Sequence, residues 1–390
     1  MKHAGKFLPF SRPTIDDEMI NEVIDSMKSG WLTTGPKVEK FEKLFSEYVD
    51  HDNVVSFSTG TAALHIAILL LDLKKGDEVI TPSMTWPSAV NMIELCRGVP
   101  VFVDCELETL NISVADVERK ITSKTKAIIP VHFAGQPVDM DPLFELVKNK
   151  DIMIIEDAAH AIGSHYKGEH VGKKADFTIY SFHPNKNMTT GEGGMLTVKN
   201  RNLVDAANKL KFHGVEKHAW KRFGKHVKKF EYEVVKPGYK YNMMDIQAAI
   251  GIHQLKRLDE FINKRKIFAD QYSELLKDNE YLKPLGKVPY PNKHAWHLYI
   301  VKLDIDKAGF TRDEFMRKLG EEKIGSGLHY TAIHIHKYYR EKYGYRPDDL
   351  PNSSFCSDRI LSIPLFPLMK SEDQKRVVSA IVKIISLNTK

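Results

Sequence analysis

Short β-branched apolar runs recur along the first half of the chain, at Val54–Phe57, Glu78–Thr81, Val99–Val103, Ala127–His132, Ile152–Glu156 and Phe177–Phe182. Between them lie stretches with apolar residues at helical spacing, among them Thr61–Leu73 and Ser88–Leu95. Strand-length runs alternating with amphipathic segments predict βα units around a mainly parallel sheet, because parallel neighbours need a crossover. From Gln247 to Asp278 the pattern changes. Ile250, Leu255, Leu258, Phe261 and Ile262 mark one face of a single long amphipathic helix, read as a connector. Beyond it, His297–Leu303, Arg312–Leu319 and Ser371–Ile385 predict a smaller α+β domain. The expected division is a large domain over residues 1–250, including the N-terminal segment, and a small one over 251–390.

Composition narrows the class without adding to the fold. The 390 residues carry 57 Lys+Arg against 51 Asp+Glu, a net charge of +6, which is too dilute for a nucleic-acid-binding face. The longest apolar run, Ile66–Leu71, falls far short of the roughly 20 residues that span a bilayer. The N-terminal stretch has no apolar core and soon meets Asp16 and Asp17, so a cytoplasmic location is expected. Cys96, Cys105 and Cys356 lack metal-site or disulfide spacing and read as isolated thiols.

In open α/β sheets ligands bind beyond the carboxyl ends of the strands, so the residues following each run are the ones to search for chemistry. After the first run comes Ser58-Thr59-Gly60-Thr61-Ala62-Ala63-Leu64, a small-residue turn that opens a helix. Such a turn suits a phosphate, and it equally suits a helix merely capped by threonine. Asp157, after the fifth run, stands where a carboxylate can hold a pyridinium nitrogen protonated, or cap the next helix. The sixth run leads into Ser181-Phe182-His183-Pro184-Asn185-Lys186 and on to Gly191-Glu192-Gly193-Gly194. A lysine there forms a Schiff base if burial or a neighbouring cation such as His183 lowers its pKa; most lysines are solvated surface residues. Trp86 adds an aromatic plane able to stack on a ring, or to sit in a core or rim. Together these residues supply partners for the phosphate, ring nitrogen and aldehyde of pyridoxal 5'-phosphate.

The series STGTAAL, TPSMTWPS, VHFAGQP, IIEDAAHAIG, SFHPNKNMTTGEGG and GYKYNMMDIQAA resembles, essentially end to end, the aminotransferases of nucleotide-linked keto-sugars, a family of fold-type-I pyridoxal phosphate enzymes. FLPFSRP, SGWLTTGP, LKFHG, HAWHLYIV, GLHYTAIH with KYYRE, and SIPLFP most resemble its branch acting on a UDP-4-keto-pentose in lipid A modification. The resemblance implies an α/β fold with a mixed, mainly parallel sheet flanked by helices, plus a smaller α+β domain. It implies that Lys186 carries the cofactor covalently, that Asp157 pairs with the ring nitrogen and that Trp86 stacks on the ring. Gly60, Thr61, Ala62 and Ser181 would hold the phosphate, and His160 would contact the cofactor where many relatives have glutamine. Asn242 would reach the phosphate of a second subunit, giving a homodimer with shared active sites. His329 would lie on the substrate side. The implied reaction passes an amino group from an amino acid, L-glutamate, to a nucleotide-linked 4-keto sugar by a ping-pong route, for lipid A or surface polysaccharide synthesis.

Two rival functions follow from the same residues. Some relatives replace the Schiff-base lysine with histidine and remove a hydroxyl instead; this chain keeps Lys186, which favours transamination over a dehydratase. A non-catalytic binder of sugar nucleotide or nucleic acid would rest on residues 211–229, which hold seven Lys/Arg with Phe212, Trp220 and Phe223 interleaved. That stretch also reads as a solvated basic loop, or as a flap attracting a diphosphate. His334 and His336, and the series His160, His165, His170, lack metal-site spacing, so no metal is expected. Gly191–Gly194 precedes a strand, unlike a dinucleotide fingerprint, which opens a helix.

Overall fold

The computed structural model describes residues 6–216 and 232–388. The strands of the first half are β1 (Val54–Phe57), β2 (Glu78–Pro82), β3 (Val99–Val103), β4 (Thr125–Ile128), β5 (Met153–Asp157), the short β6 (His165–Tyr166) and β7 (Glu169–His170), then β8 (Phe177–Ser181) and β9 (Gly194–Val198). Seven of them form one sheet in the order β1-β9-β8-β5-β4-β2-β3. Every pairing among β8, β5, β4, β2 and β3 is parallel, and β9 runs antiparallel to both its neighbours. The sheet is therefore mixed and mainly parallel, as the alternating pattern requires. Its strands read as continuous apolar runs because helices cover both faces, leaving residues such as Val79, Ile80, Ile128 and Ile155 with no exposure.

Later strands are β10 (Leu282–Pro284), β11 (Asn292–Lys293), β12 (Tyr299–Leu303) and β13 (Ile360–Ile363). β10, β12 and β13 make a small antiparallel sheet, while β11 pairs with β6. Under the small sheet a second core gathers Tyr272, Tyr299, Val301, Phe315, Leu319, Leu361 and Ile381. Leu8 joins it from the N-terminal segment, its N–H donating to the Lys323 carbonyl at 3.0 Å and its own carbonyl accepting from Gly325 at 2.8 Å.

Three sequence expectations are corrected. The run Ala127–His132 gives only β4, which ends at Ile128. Pro130 has no N–H to continue the ladder, and beyond it the chain pairs with β5 only through an isolated parallel bridge between Val131 and Asp157, with the Asp157 N–H donating to the Pro130 carbonyl. The long connector is two helices, Asp245–Lys256 and Leu258–Leu275, separated at Arg257 with φ −102° and ψ 3°. Arg257 leaves the helical register where its guanidinium reaches both Asp16 and Glu260. The second helix spans both cores, placing Leu258 and Ile262 in the large one and Ala269 and Tyr272 in the small one. Lys211, counted above in a basic segment, is buried, with Nζ donating to the Ser56 carbonyl at 3.2 Å and lying 3.6 Å from Glu42. Residues 217–229 of that segment lie outside the described residues.

Candidate active site

A cavity of about 610 Å³ opens at the carboxyl ends of the parallel strands. Gly60, Thr61, Trp86, Asp157, His160, Ser181, Lys186 and His329 all line it, although they come from five separate stretches of chain. The strand ends deliver Asp157 and Ser181 directly, since they are the last residues of β5 and β8. Gly60 opens the helix Gly60–Leu70 directly after β1.

That helix begins with Thr59 as its cap: Thr59 Oγ1 accepts from the Ala62 N–H at 3.0 Å. Ala62, expected to offer its N–H to phosphate, spends it on this cap, which leaves the N–H groups of Gly60 and Thr61 at the positive end of the helix. The turn is crowded. A Cβ on Gly60 would lie 2.9 Å from Ser181 Cβ, and one on Gly194 would lie 2.5 Å from the Thr59 carbonyl oxygen and 2.6 Å from Gly60 N. Gly194→Ala is accordingly expected to lower stability by about 1–3 kcal/mol and to weaken cofactor retention, both readable from urea denaturation with and without added pyridoxal phosphate.

Lys186 sits on a loop tied down at several points. Its N–H donates to the His183 carbonyl at 2.9 Å, Asn187 Nδ2 donates to the Ala295 carbonyl at 2.6 Å, and Thr189 N–H donates to Gln254 Oε1 at 3.2 Å. Phe182 N–H closes the loop on the Gly193 carbonyl at 2.9 Å, and Gly191 turns it with φ +81°. Burial pushes the Lys186 amine down to about 8, opposed by the charge of Asp157. Asp157 is buried, which raises its pKa, while the Ala159 N–H donating to Oδ1 at 3.0 Å, Lys186 and His132 pull it back. An amine with an accessible free-base form beside a buried carboxylate is a pair of groups tuned in opposite directions by one site.

The aromatic and histidine groups form the remaining wall. Trp86 is 61% exposed, with its ring 5.8 Å from that of Tyr330. His329 Nδ1 lies 2.9 Å from Ser362 Oγ, and burial beside Lys186 pushes the imidazole down to about 3. Asn242 is not part of this wall: its Nδ2 donates to Thr34 Oγ1 at 2.7 Å and its Oδ1 accepts from Lys240 Nζ at 2.6 Å. Sequence reasoning missed Tyr330, Thr85, Ser88 and Glu192, which also line the cavity. Tyr330 follows His329 directly and Glu192 lies inside the glycine-rich turn, so proximity to chosen residues was the available signal.

A model of the DegT/DnrJ/EryC1/StrS aminotransferase family matches residues 13–382. The chain belongs to that family. It is 44% identical over 382 residues to the uncharacterized protein MJ1066 of Methanocaldococcus jannaschii, covering 98% of each chain. Among solved structures it resembles Spr1654 of Streptococcus pneumoniae in its PLP form, with a TM-score of 0.90, 31% identity and coverage of 98% and 100%. PseC of Helicobacter pylori, an aminotransferase involved in the biosynthesis of pseudoaminic acid, superposes with a TM-score of 0.89, 26% identity and the same coverage. The chain is thus an enzyme of a pyridoxal-phosphate-dependent family of sugar aminotransferases, with the α/β fold expected of it. The residues present suit that cofactor: an amine, a buried carboxylate and a helix end with free N–H groups face one cavity. Among the described residues no helix is long and apolar enough to cross a membrane.

Proposed function

We propose that the enzyme transfers an amino group from L-glutamate to a 4-keto sugar linked to a nucleoside diphosphate. A UDP-4-keto-pentose is the acceptor favoured by the sequence resemblance, which points to lipid A or surface polysaccharide sugars as the product class. The observation that carries the reading is the Lys186 amine, lowered to about 8 and lining one cavity with Asp157. Pyridoxal phosphate, when bound, supplies the electron sink for the carbanion formed at the donor Cα.

Lys186 would hold the cofactor aldehyde through its free-base amine, and the same amine would carry the proton to and from the donor Cα. Asp157 holds the ring nitrogen protonated. Gly60, Thr61 and Ser181 would cradle the phosphate, Trp86 would cover one ring face, and His160 would complete the cofactor contacts. His329, neutral over the working pH range, lies on the substrate side. Asn242, bonded to Thr34 and Lys240 and not lining the cavity of its own chain, is assigned to the phosphate of a second copy in a homodimer.

The test is spectroscopic. The purified enzyme is expected to show a visible band that moves to the near ultraviolet with glutamate, releasing 2-oxoglutarate, and returns when UDP-4-keto-pentose is added. A shift with glutamate but no return with any nucleotide-linked keto-sugar would remove the acceptor assignment. Loss of water from the sugar without amine transfer would establish the dehydratase reading instead.

A further inference from the structure

A second cavity, of about 410 Å³, shares no lining residue with the cofactor cavity. It lies where the helix Leu258–Leu275 meets β10, β11 and β12, and its volume falls within the range of pockets that hold small organic ligands. Ile262, Leu285, Val288 and Leu298 give it an apolar wall.

The same cavity offers hydrogen-bond donors. The backbone N–H of Trp296 donates to His294 Nδ1 at 2.8 Å, and burial pushes the His294 pKa down to about 3. A neutral imidazole whose Nδ1 is occupied as an acceptor carries its hydrogen on Nε2. The Trp296 indole stacks on that ring with centroids 4.0 Å apart and the two planes parallel. Both rings line the cavity, and neither the His294 Nε2–H nor the indole N–H has a hydrogen-bond partner among the described residues. The fold imposes this arrangement against local preference. Trp296 sits at φ +51°, a left-handed conformation that bulky side chains seldom adopt, and the Ala134 carbonyl fixes the turn by accepting from the His297 and Leu298 N–H groups at 3.0 and 3.3 Å.

Charge points the same way. Lys266, Lys287 and Lys293 line the cavity against a single carboxylate, Asp270, which is already paired with Lys266 at 2.5 Å. Lys293 pairs with Asp259 at 2.9 Å, and Lys287 has no ion pair among the described residues. We propose that this cavity is a binding site for a carboxylate carrying an apolar body, its oxygens received by the two ring N–H groups of His294 and Trp296 and by the Lys287 ammonium. The apolar wall takes the body. The assignment stands apart from the reaction proposed above and does not depend on it.

The test is nitrogen NMR of the holoenzyme labelled at its four tryptophan indoles, with Trp296→Phe assigning the signal. 1-Naphthylacetate, an apolar ring system bearing a carboxylate, is expected to shift the Trp296 signal saturably. Its affinity should exceed by at least about tenfold that of 2-(1-naphthyl)ethanol, which has the same body without the charge. Acetate, the charge without the body, should give no saturable shift. Lys287→Gln should weaken 1-naphthylacetate about threefold, the scale of one exposed charge. Trp86 lines the cofactor cavity and reports a ligand lodged there instead. An unmoved Trp296 signal, a shift of Trp86 in its place, equal affinity for the alcohol, saturation by acetate, or an affinity indifferent to Lys287→Gln overturns the proposal.

Discussion

Lys186→Ala is expected to abolish turnover, by at least about 10³-fold, while the protein still binds pyridoxal phosphate through the helix end at Gly60 and Thr61. The size of the loss follows from the two jobs given to one amine, covalent attachment and the proton shift. His160 and His329 are buried and neutral, and both are poor bases because burial depresses their pKa values. The check is a single-turnover measurement with glutamate, and appreciable residual transamination would remove Lys186 from its role. The same amine predicts a pH dependence for the cofactor-free protein. Its pKa of about 8 means that the free base predominates above that pH and is lost below it. The rate of capture of added pyridoxal phosphate should therefore rise with pH to a midpoint near 8, falling about tenfold per unit on the acid side.

Asp157→Ala should slow the glutamate half-reaction by about 10²-fold, the scale expected when one preorganised electrostatic partner of a developing charge is removed. A buried carboxylate resists ionisation until a cation sits beside it, and a protonated ring nitrogen is such a cation. Without it the ring nitrogen loses its proton and the ring withdraws electrons less strongly. The variant carries a second signature that separates it from general damage. Asp157 is the group holding the Lys186 pKa up, so its removal should move the midpoint of cofactor capture below 8. Near-normal half-reaction kinetics, or a midpoint that rises, would remove the assigned role.

Much of this site was legible before any coordinates, for a specific reason. In a βα fold the ligand-facing residues follow strand ends, so periodicity located the STGTA turn, Asp157 and the Ser181–Lys186 loop without knowledge of how the strands order themselves. Residues brought in from the C-terminal part gave weaker local signals. Tyr330 lies in a stretch without helix or strand periodicity, and its bond to His160 joins positions 170 residues apart. The connector failed as a single helix because its amphipathic period continues across Arg257, and the break reflects contacts to Asp16 at the far end of the chain.

Sequence alone determined the alternation of elements, the mainly parallel sheet and the residue types for one cofactor, because hydrophobic period and strand-end position are local properties of the chain. Tertiary structure decided the rest: that Lys211 is buried, that Asn242 does not line its own cavity, and that Lys186 loses part of its basicity. The burial of Lys211 and the lowered basicity of Lys186 depend on which atoms from distant segments exclude water from each amine, and solvent exclusion is a property of the packed chain.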